Sequence, residues 1–275
     1  MAQKNKKYFC QNFSHMFNTI AIIGTGNIGA WLLKTLQNQS NISIISVSGR
    51  KVKEMPDDFD LYIFALKDDV YEDVLKQIPF KMSQALHTSG SLSQNILAPY
   101  SDNFGVIYPY QTITHNKEII RLDEKIINLP PHIIPICQDS LPLVPICVEG
   151  YEPDFENILF LWANSVFSTA YKISEKQRFA MHLAAVFANN FTNAMYGIAY
   201  QIFQENNLDW SLIFPLLENT LEKAKQNKPK TVQTGPAARN DISIMKKHCM
   251  ALSEENLRSL YTLISKIIHE SMSLK

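Results

Sequence analysis

Six residues near the start of the chain, Gly24-Thr25-Gly26-Asn27-Ile28-Gly29, limit the choice of fold more than any others. They follow a β-branched run, Thr19–Ile23 (TIAII), and precede a helical pattern from Ile28 to about Gln39. A buried parallel strand reads as a short continuous apolar run, so strand, glycine turn and helix form one unit. Each glycine then has a physical reason. Gly24 permits a tight turn, Gly26 lets backbone approach a pyrophosphate, and Gly29 allows close packing of helix on strand. The helix N-terminus adds N–H donors and partial positive charge. A tight turn with no ligand is the competing explanation. The position on the first strand of an alternating α/β segment favours dinucleotide binding, with Gly24, Thr25, Gly26, Asn27, Ile28 and Gly29 as the cradle.

The alternation continues. Ile42–Val47 and Leu61–Leu66 read as the second and third strands, and Asp68–Ile78 as an amphipathic helix with Val70, Val74, Leu75 and Ile78 on one side. Ala85–His87 and Val106–Tyr108 read as further short strands, with Leu92–Leu97 helical between them. Strand, helix, strand at this spacing predicts an α/β fold with a doubly wound, mainly parallel sheet, because parallel neighbours need crossover connections. Five prolines between Leu129 and Pro145 (130, 131, 135, 142, 145) exclude a regular helix there. They place a domain boundary near Gly150.

After Pro153 the pattern predicts helices alone. Phe155–Thr169 is one, and a second runs from Ser174, where SEKQ is a capping-box sequence, to about Glu205. Asp209–Gln226 follows, with a bend expected at Pro215, and two closing helices start from Asp241 and Ser253. Residues 1–17 read as an extension outside the fold, because the stretch lacks the apolar core and cleavage site of an export signal. The expected division is therefore 1–17 extension, 18–150 nucleotide-binding domain and 151–275 all-α substrate and dimerisation domain.

Composition removes whole classes of function. Lys+Arg and Asp+Glu balance at 26 each, so the formal net charge is zero. A nucleic-acid binder needs an excess of cations to displace counterions, and a basic membrane patch is equally missing. No apolar run is long enough to span a bilayer. Cys10, Cys137, Cys147 and Cys249 lie far apart with no CxxC pair, so they read as reduced cytosolic thiols, and no metal site is expected. These features predict a soluble cytoplasmic protein with a small-molecule substrate.

The end of the second strand bears on which dinucleotide. An NAD site places Asp or Glu about twenty residues beyond the loop to bind the ribose 2′-OH. Here the strand ends Val47-Ser48-Gly49-Arg50-Lys51, with no acid until Glu54. Ser48, Arg50 and Lys51 suit a 2′-phosphate, which a guanidinium binds bidentately, so NADP is the expected cofactor. Ala65 and Leu66, closing the third strand, fall on the same crevice.

Ligands in such sheets sit outside the carboxyl ends of the strands. Two polar clusters fall there, His87-Thr88-Ser89-Gly90-Ser91 and Tyr108-Pro109-Tyr110-Gln111-Thr112. Turn chemistry alone explains many of these residues, but together they are candidates for the reacting end of the site. On the long helix, His182, Asn189 and Asn193 fall within about 40° of one another at 100° per residue, with Tyr196 near. The surrounding Leu183–Ala188 and Phe191 are apolar, so this helix is expected to be buried on most sides, and its polar stripe needs partners. A ligand or a polar loop would supply them; helix carbonyls are the alternative. The loop Thr231–Asp241 adds Gln233, Thr234 and Arg239 as substrate-binding candidates, while Asp241 is explained by capping. Catalytic candidates are thus His182, Asn189, Asn193, His87 and Ser89; substrate-binding candidates are Tyr108, Gln111, Gln233, Thr234 and Arg239.

AIIGTGNIG, HTSGSL, YPYQT, HLAAVFANNFTNAMY, PLLENTLEKA and QTGPAARND occur in an order that resembles a bacterial family of Rossmann-like proteins. Its members carry a C-terminal helical domain of unknown function and are often labelled NADP oxidoreductases. More distantly the chain is similar to pyrroline-5-carboxylate reductase, ketopantoate reductase and the β-hydroxyacid dehydrogenases. The resemblance implies an NADP-binding domain, a helical domain and dimerisation through the helices. It implies no particular substrate. One departure stands out: β-hydroxyacid dehydrogenases use a lysine on the long helix, and this chain has none between Lys176 and Lys223. Carbonyl reduction would need another proton donor, His182 or His87, since histidine ordinarily titrates near neutrality. An imine needs less help. The leading expectation is an NADP-dependent oxidoreductase acting on a small carbonyl or imine held between the domains; the alternative is a non-catalytic NADP-binding regulator acting through a dimer.

Overall fold

The computed structural model describes residues 16–37, 39, 42–113, 144–167 and 169–273. The TIAII run forms β1 (Thr19–Ile23), and the glycine turn leads into α1 (Asn27–Gln37). Next come β2 (Ser43–Val47), β3 (Leu61–Phe64), a short α2 (Tyr71–Leu75), β4 (Met82–His87) and β5 (Ser101–Pro109). Two places expected to be helical are tighter and shorter. Asp68–Val70 is a 3₁₀ turn before α2, and 92–97 contracts to the 3₁₀ segment Gln94–Leu97, capped by the Ser93 hydroxyl.

Beyond the proline-rich stretch, 129–145, whose residues up to 143 lie outside those described, the sheet resumes. β6 (Ile146–Gly150), α3 (Pro153–Phe167) and β7 (Ala170–Lys172) complete a seven-stranded sheet in the order β2-β1-β3-β4-β5-β6-β7. β1 to β5 are mutually parallel; β6 runs antiparallel to β5, and β7 parallel to β6. The expectation of helices alone after Pro153 is corrected here, because β7 adds to the sheet edge that β6 leaves open. The structure divides into two compact units, the first ending at Phe191.

Period-two alternation sorts the core onto two faces. Ile20 and Ile22 of β1 join Leu32, Leu36, Leu61, Ile63, Ile107, Val148 and Trp162 on one face, under α1 and α3. Ala21 and Ile23 join Tyr62, Phe64, Tyr71, Leu75, Leu97 and Phe104 on the other, under α2 and the 3₁₀ segments. Phe17, expected to lie outside the fold, is 1% exposed and meets Trp162 edge to face at 5.2 Å. Residues 1–15 are outside those described.

α4 (Glu175–Ala185) starts at a capping box, as the SEKQ sequence predicts: the Ser174 hydroxyl accepts from the Gln177 amide, and the Gln177 carboxamide returns to the Ser174 amide. A π-helical turn, Val186–Phe191, follows and closes the first unit.

The second unit contains α5 (Thr192–Glu205), α6 (Phe214–Gln226), α7 (Ile242–Ala251) and α8 (Glu255–Ser273). Trp210 is its aromatic centre, with Tyr200 and Phe203 edge-on at 5.2 and 5.4 Å. Pro215 does not bend a helix. It sits in the first turn of α6, where a missing N–H leaves no bond unmade. Asp241 caps α7 by accepting from the Ile244 amide. None of α5 to α8 contains a buried residue. No helix among the described residues is long and apolar enough to cross a membrane.

Candidate functional site

In this strand order the connection from β1 goes to β2 on one side, and the next crosses to β3 on the other. The crevice above the carboxyl ends of β1 and β3 is therefore the topological switch point, where open α/β sheets bind ligands. The glycine turn lies at this point. Gly24 has φ +124°, and a Cβ there would meet the Ala65 carbonyl oxygen at 2.1 Å. A Cβ on Gly29 would sit 1.9 Å from the Gly24 carbonyl oxygen. Both are packing glycines, and both are buried. Gly26 differs: its Cβ would meet nothing within 4 Å, and Thr25, Gly26 and Asn27 are exposed at the start of α1. First-turn amides beside an open, side-chain-free surface are what a pyrophosphate requires.

One strand away, Ser48 caps the 3₁₀ turn Gly49–Glu54, its hydroxyl accepting from the Arg50 amide. Arg50 and Lys51 are exposed in its first turn. Leu66 packs against Gly49, within 3.3 Å of a Cβ placed there, so the ends of β2 and β3 close the floor between them.

At the other side of the switch point the two polar clusters come together with α4. The Tyr108 hydroxyl lies 3.1 Å from His182 Nδ1, and Gly90 leaves room for both rings. A Cβ on Gly90 would be 2.6 Å from His182 Nδ1 and 3.0 Å from Tyr108 Cζ. Burial, with the neighbouring Tyr110, pushes the Tyr108 phenol up to about 12. Tyr108 therefore keeps its hydroxyl proton beside His182 Nδ1, and the direction of this hydrogen bond follows the His182 tautomer. Further along, the Asn189 amide donates to the Thr112 hydroxyl, and the Gln111 carboxamide accepts from the Thr112 amide at 3.0 Å. His182 and Asn189 thus find partners at the end of β5 and in the loop just beyond it.

Burial of that helix is not as expected. Asn189 is exposed, as are Leu183 (50%) and Phe187 (62%). Asn193, Gln233, Thr234 and Arg239 belong to the second unit, where Asn193 and Arg239 are exposed and Gln233 donates to the Thr234 carbonyl.

His87 and Ser89 have other parts. His87 is fully buried, and its Nδ1 accepts from the Ser89 amide at 3.2 Å. Burial, reinforced by the Arg178 charge, holds its pKa down at about 3, so the ring is neutral and does not serve as a cationic proton donor. The Ser89 hydroxyl accepts from the amides of Ser91 (3.1 Å) and Leu92 (3.0 Å), closing the turn after β4. The Ser91 hydroxyl in turn donates to Asp68, the first residue of the 3₁₀ turn before α2.

The buried imidazole predicts acid sensitivity. Its folded pKa is depressed from 6.5 to about 3. Its contribution to stability is complete above 6.5 and is lost as pH falls from there toward 3. At about 1.4 kcal/mol per unit the loss amounts to several kcal/mol. Urea melts from pH 7 to 4 should show this decline in the native protein and a flatter one in His87→Gln; parallel profiles would remove His87 as the cause.

Two residues that sequence reasoning missed organise this region. Arg178 is fully buried, with its Nε and Nη2 3.3 and 3.2 Å from Glu149 Oε2 and its Nη1 2.9 Å from the Ser89 carbonyl oxygen. Glu149 Oε1 accepts the first amide of α4, that of Glu175, at 2.9 Å. Burial pushes the Glu149 carboxyl above the usual range, and Arg178 pulls it back. One signal was available: in ICVEG, Glu149 shares its strand face with Cys147, two residues before it, and so follows an apolar position on that face.

Residues 144–268 match the family model described as a domain of unknown function, DUF2520. A crystal structure from Bacteroides fragilis described as a "putative NADP oxidoreductase" is 26% identical, with TM-score 0.75, covering 92% of this chain and 98% of that one. A protein from Thermotoga maritima is 18% identical with TM-score 0.61 (92% and 98% covered). The 1-pyrroline-5-carboxylate reductase of Streptococcus pyogenes is 16% identical with TM-score 0.52 (93% and 98% covered). The last two share the fold. No curated protein matches the chain. The resemblance carried by the sequence motifs is thereby borne out: a Rossmann-like sheet and a match to this domain model occur in one chain.

Proposed function

We propose that this protein is an NADP-dependent oxidoreductase acting on a small carbonyl or imine. The observation that carries the reading is the glycine turn at the switch point, open at Gly26 and packed at Gly24 and Gly29. The residues present fit the cofactor. Gly26 and the start of α1 would hold the pyrophosphate, and Ser48, Arg50 and Lys51 the 2′-phosphate. Ala65 and Leu66 would floor the crevice. A dinucleotide running from β2 across β1 and β3 directs its other end to the loops that follow β4 and β5. When bound, the nicotinamide supplies or takes up a hydride at the substrate carbon. The chain's own part is to orient the substrate and to manage the proton on its oxygen or nitrogen. His182, held through Nδ1 by Tyr108, turns Nε2 to that purpose, while Asn189, Thr112 and Gln111 offer amide and hydroxyl groups beside it. The similarity to the Bacteroides fragilis protein described as a "putative NADP oxidoreductase" supports this reading.

A homodimer is part of the proposal. The second unit buries almost none of its apolar side chains: Leu212 is 67%, Leu216 62%, Leu221 61% and Ile267 57% exposed. Apolar exposure on this scale in one helical unit marks an association surface, and a second copy is the occupant we propose. On this unit Asn193 remains a catalytic candidate, and Gln233, Thr234 and Arg239 remain substrate-binding candidates.

Titration with NADPH and NADH, followed by fluorescence, tests the reading. NADPH should bind at least about tenfold more tightly, and Arg50→Ala should remove that preference, a change of about 1.4 kcal/mol or more. If neither nucleotide binds, the oxidoreductase reading fails at its base.

A further inference from the structure

We infer that the Arg178–Glu149 pair is the positioning element of the site, setting the turn after β4 against His182. One guanidinium reaches both sides of the site. Its Nη1 holds the Ser89 carbonyl at 2.9 Å, fixing the turn whose next residue, Gly90, lies under the His182 ring. Its Nε and Nη2 hold Glu149, whose other oxygen takes the first amide of α4. Arg178 and His182 are four residues apart, so they share one face of α4. Whatever fixes Arg178 on the sheet therefore also fixes where His182 meets Tyr108. Nothing about helix packing requires a charge here. A buried ion pair is a poor source of net stability compared with apolar side chains, whereas a planar fork with two separate acceptors defines direction. The geometry is that of an element retained for placement.

The proposal rests on the dinucleotide reading for its functional consequence, and two readouts separate the two. The first needs no cofactor. The ¹⁵N resonance of His182 Nδ1, assigned with His182→Asn, should show a hydrogen-bonded ring nitrogen in the native protein. In Arg178→Lys, which keeps the charge but cannot span both acceptors, it should move to the value of a solvent-exposed ring. The second readout is the fluorescence of NADPH bound at saturation. Arg178→Lys should bind NADPH within about twofold of the native affinity and keep its preference over NADH, since Ser48–Lys51 is untouched. The enhancement of nicotinamide emission on binding should fall several-fold, because the ring is no longer held.

Glu149→Gln, which keeps shape and removes charge, is the second variant and should reproduce both changes. A merely structural pair would lower the melting temperature and leave both signals at native values in the folded variants; that result overturns the proposal. If native protein does not bind NADPH but the His182 resonance moves as expected, the cofactor reading falls and the placement of His182 by Arg178 stands.

Discussion

Gly29→Ala should abolish dinucleotide binding and destabilise the protein, whereas Gly26→Ala should abolish binding alone. The two glycines are three residues apart and differ only in what surrounds them. A Cβ at position 29 would lie 1.9 Å from the Gly24 carbonyl oxygen and 2.9 Å from its carbon, both backbone atoms that cannot rotate away. Gly24 is itself tied, its amide donating to the Val47 carbonyl at 2.8 Å, and the Ala65 amide donates to Ile23 at 2.8 Å. Displacing the turn thus strains the ends of β1, β2 and β3 together. Overpacking of this kind typically costs about 1–3 kcal/mol, and the cradle is lost with it. At Gly26 a Cβ meets nothing, so Gly26→Ala should melt at the native temperature while filling the space a pyrophosphate needs. Thermal melts with and without NADPH check both. Native NADPH affinity in Gly26→Ala would show that no phosphate approaches the loop there.

The second large effect lies in the buried ion pair. Removing one partner, in Arg178→Met or Glu149→Leu, should destabilise the protein by about 3–5 kcal/mol, because the other charge is left buried without compensation. The double substitution should recover most of that loss, since two apolar side chains need no partner. Recovery should be incomplete. The Ser89 carbonyl and the Glu175 amide would each lose a hydrogen bond at about 1 kcal/mol. Urea unfolding of all four proteins gives the coupling energy directly. If the double variant loses the sum of the two single losses, the groups do not act as a pair.

Much of the first unit was readable because its signals are local. The TIAII run, the glycine spacing and the SEKQ box each report on residues within a few positions, and β1, α1 and α4 begin where they indicate. The candidate site was legible in part. HTSGS, YPYQT and the helical stripe were each recognisable as polar clusters, and Tyr108 with His182 and Thr112 with Asn189 prove to be partners. The sequence offers no means of pairing them, since each contact spans more than seventy positions. His87 was misjudged for the same reason. Histidine ordinarily titrates near neutrality, and only burial in the assembled sheet, with Arg178 alongside, lowers it to about 3.

The pair Arg178–Glu149 marks the division most clearly. Arg178 follows the capping box on what reads as an ordinary helix surface, and Glu149 closes a strand hidden behind five prolines. Each alone looks like a solvated charge. Periodicity, capping and the backbone freedom of glycine depend on neighbours along the chain, so the sequence by itself determined the α/β character, the glycine turn and the helix starts. The antiparallel extension by β6, the burial of Phe17 and the placement of His182 were decided by tertiary structure, because each depends on which distant faces meet once the sheet has formed.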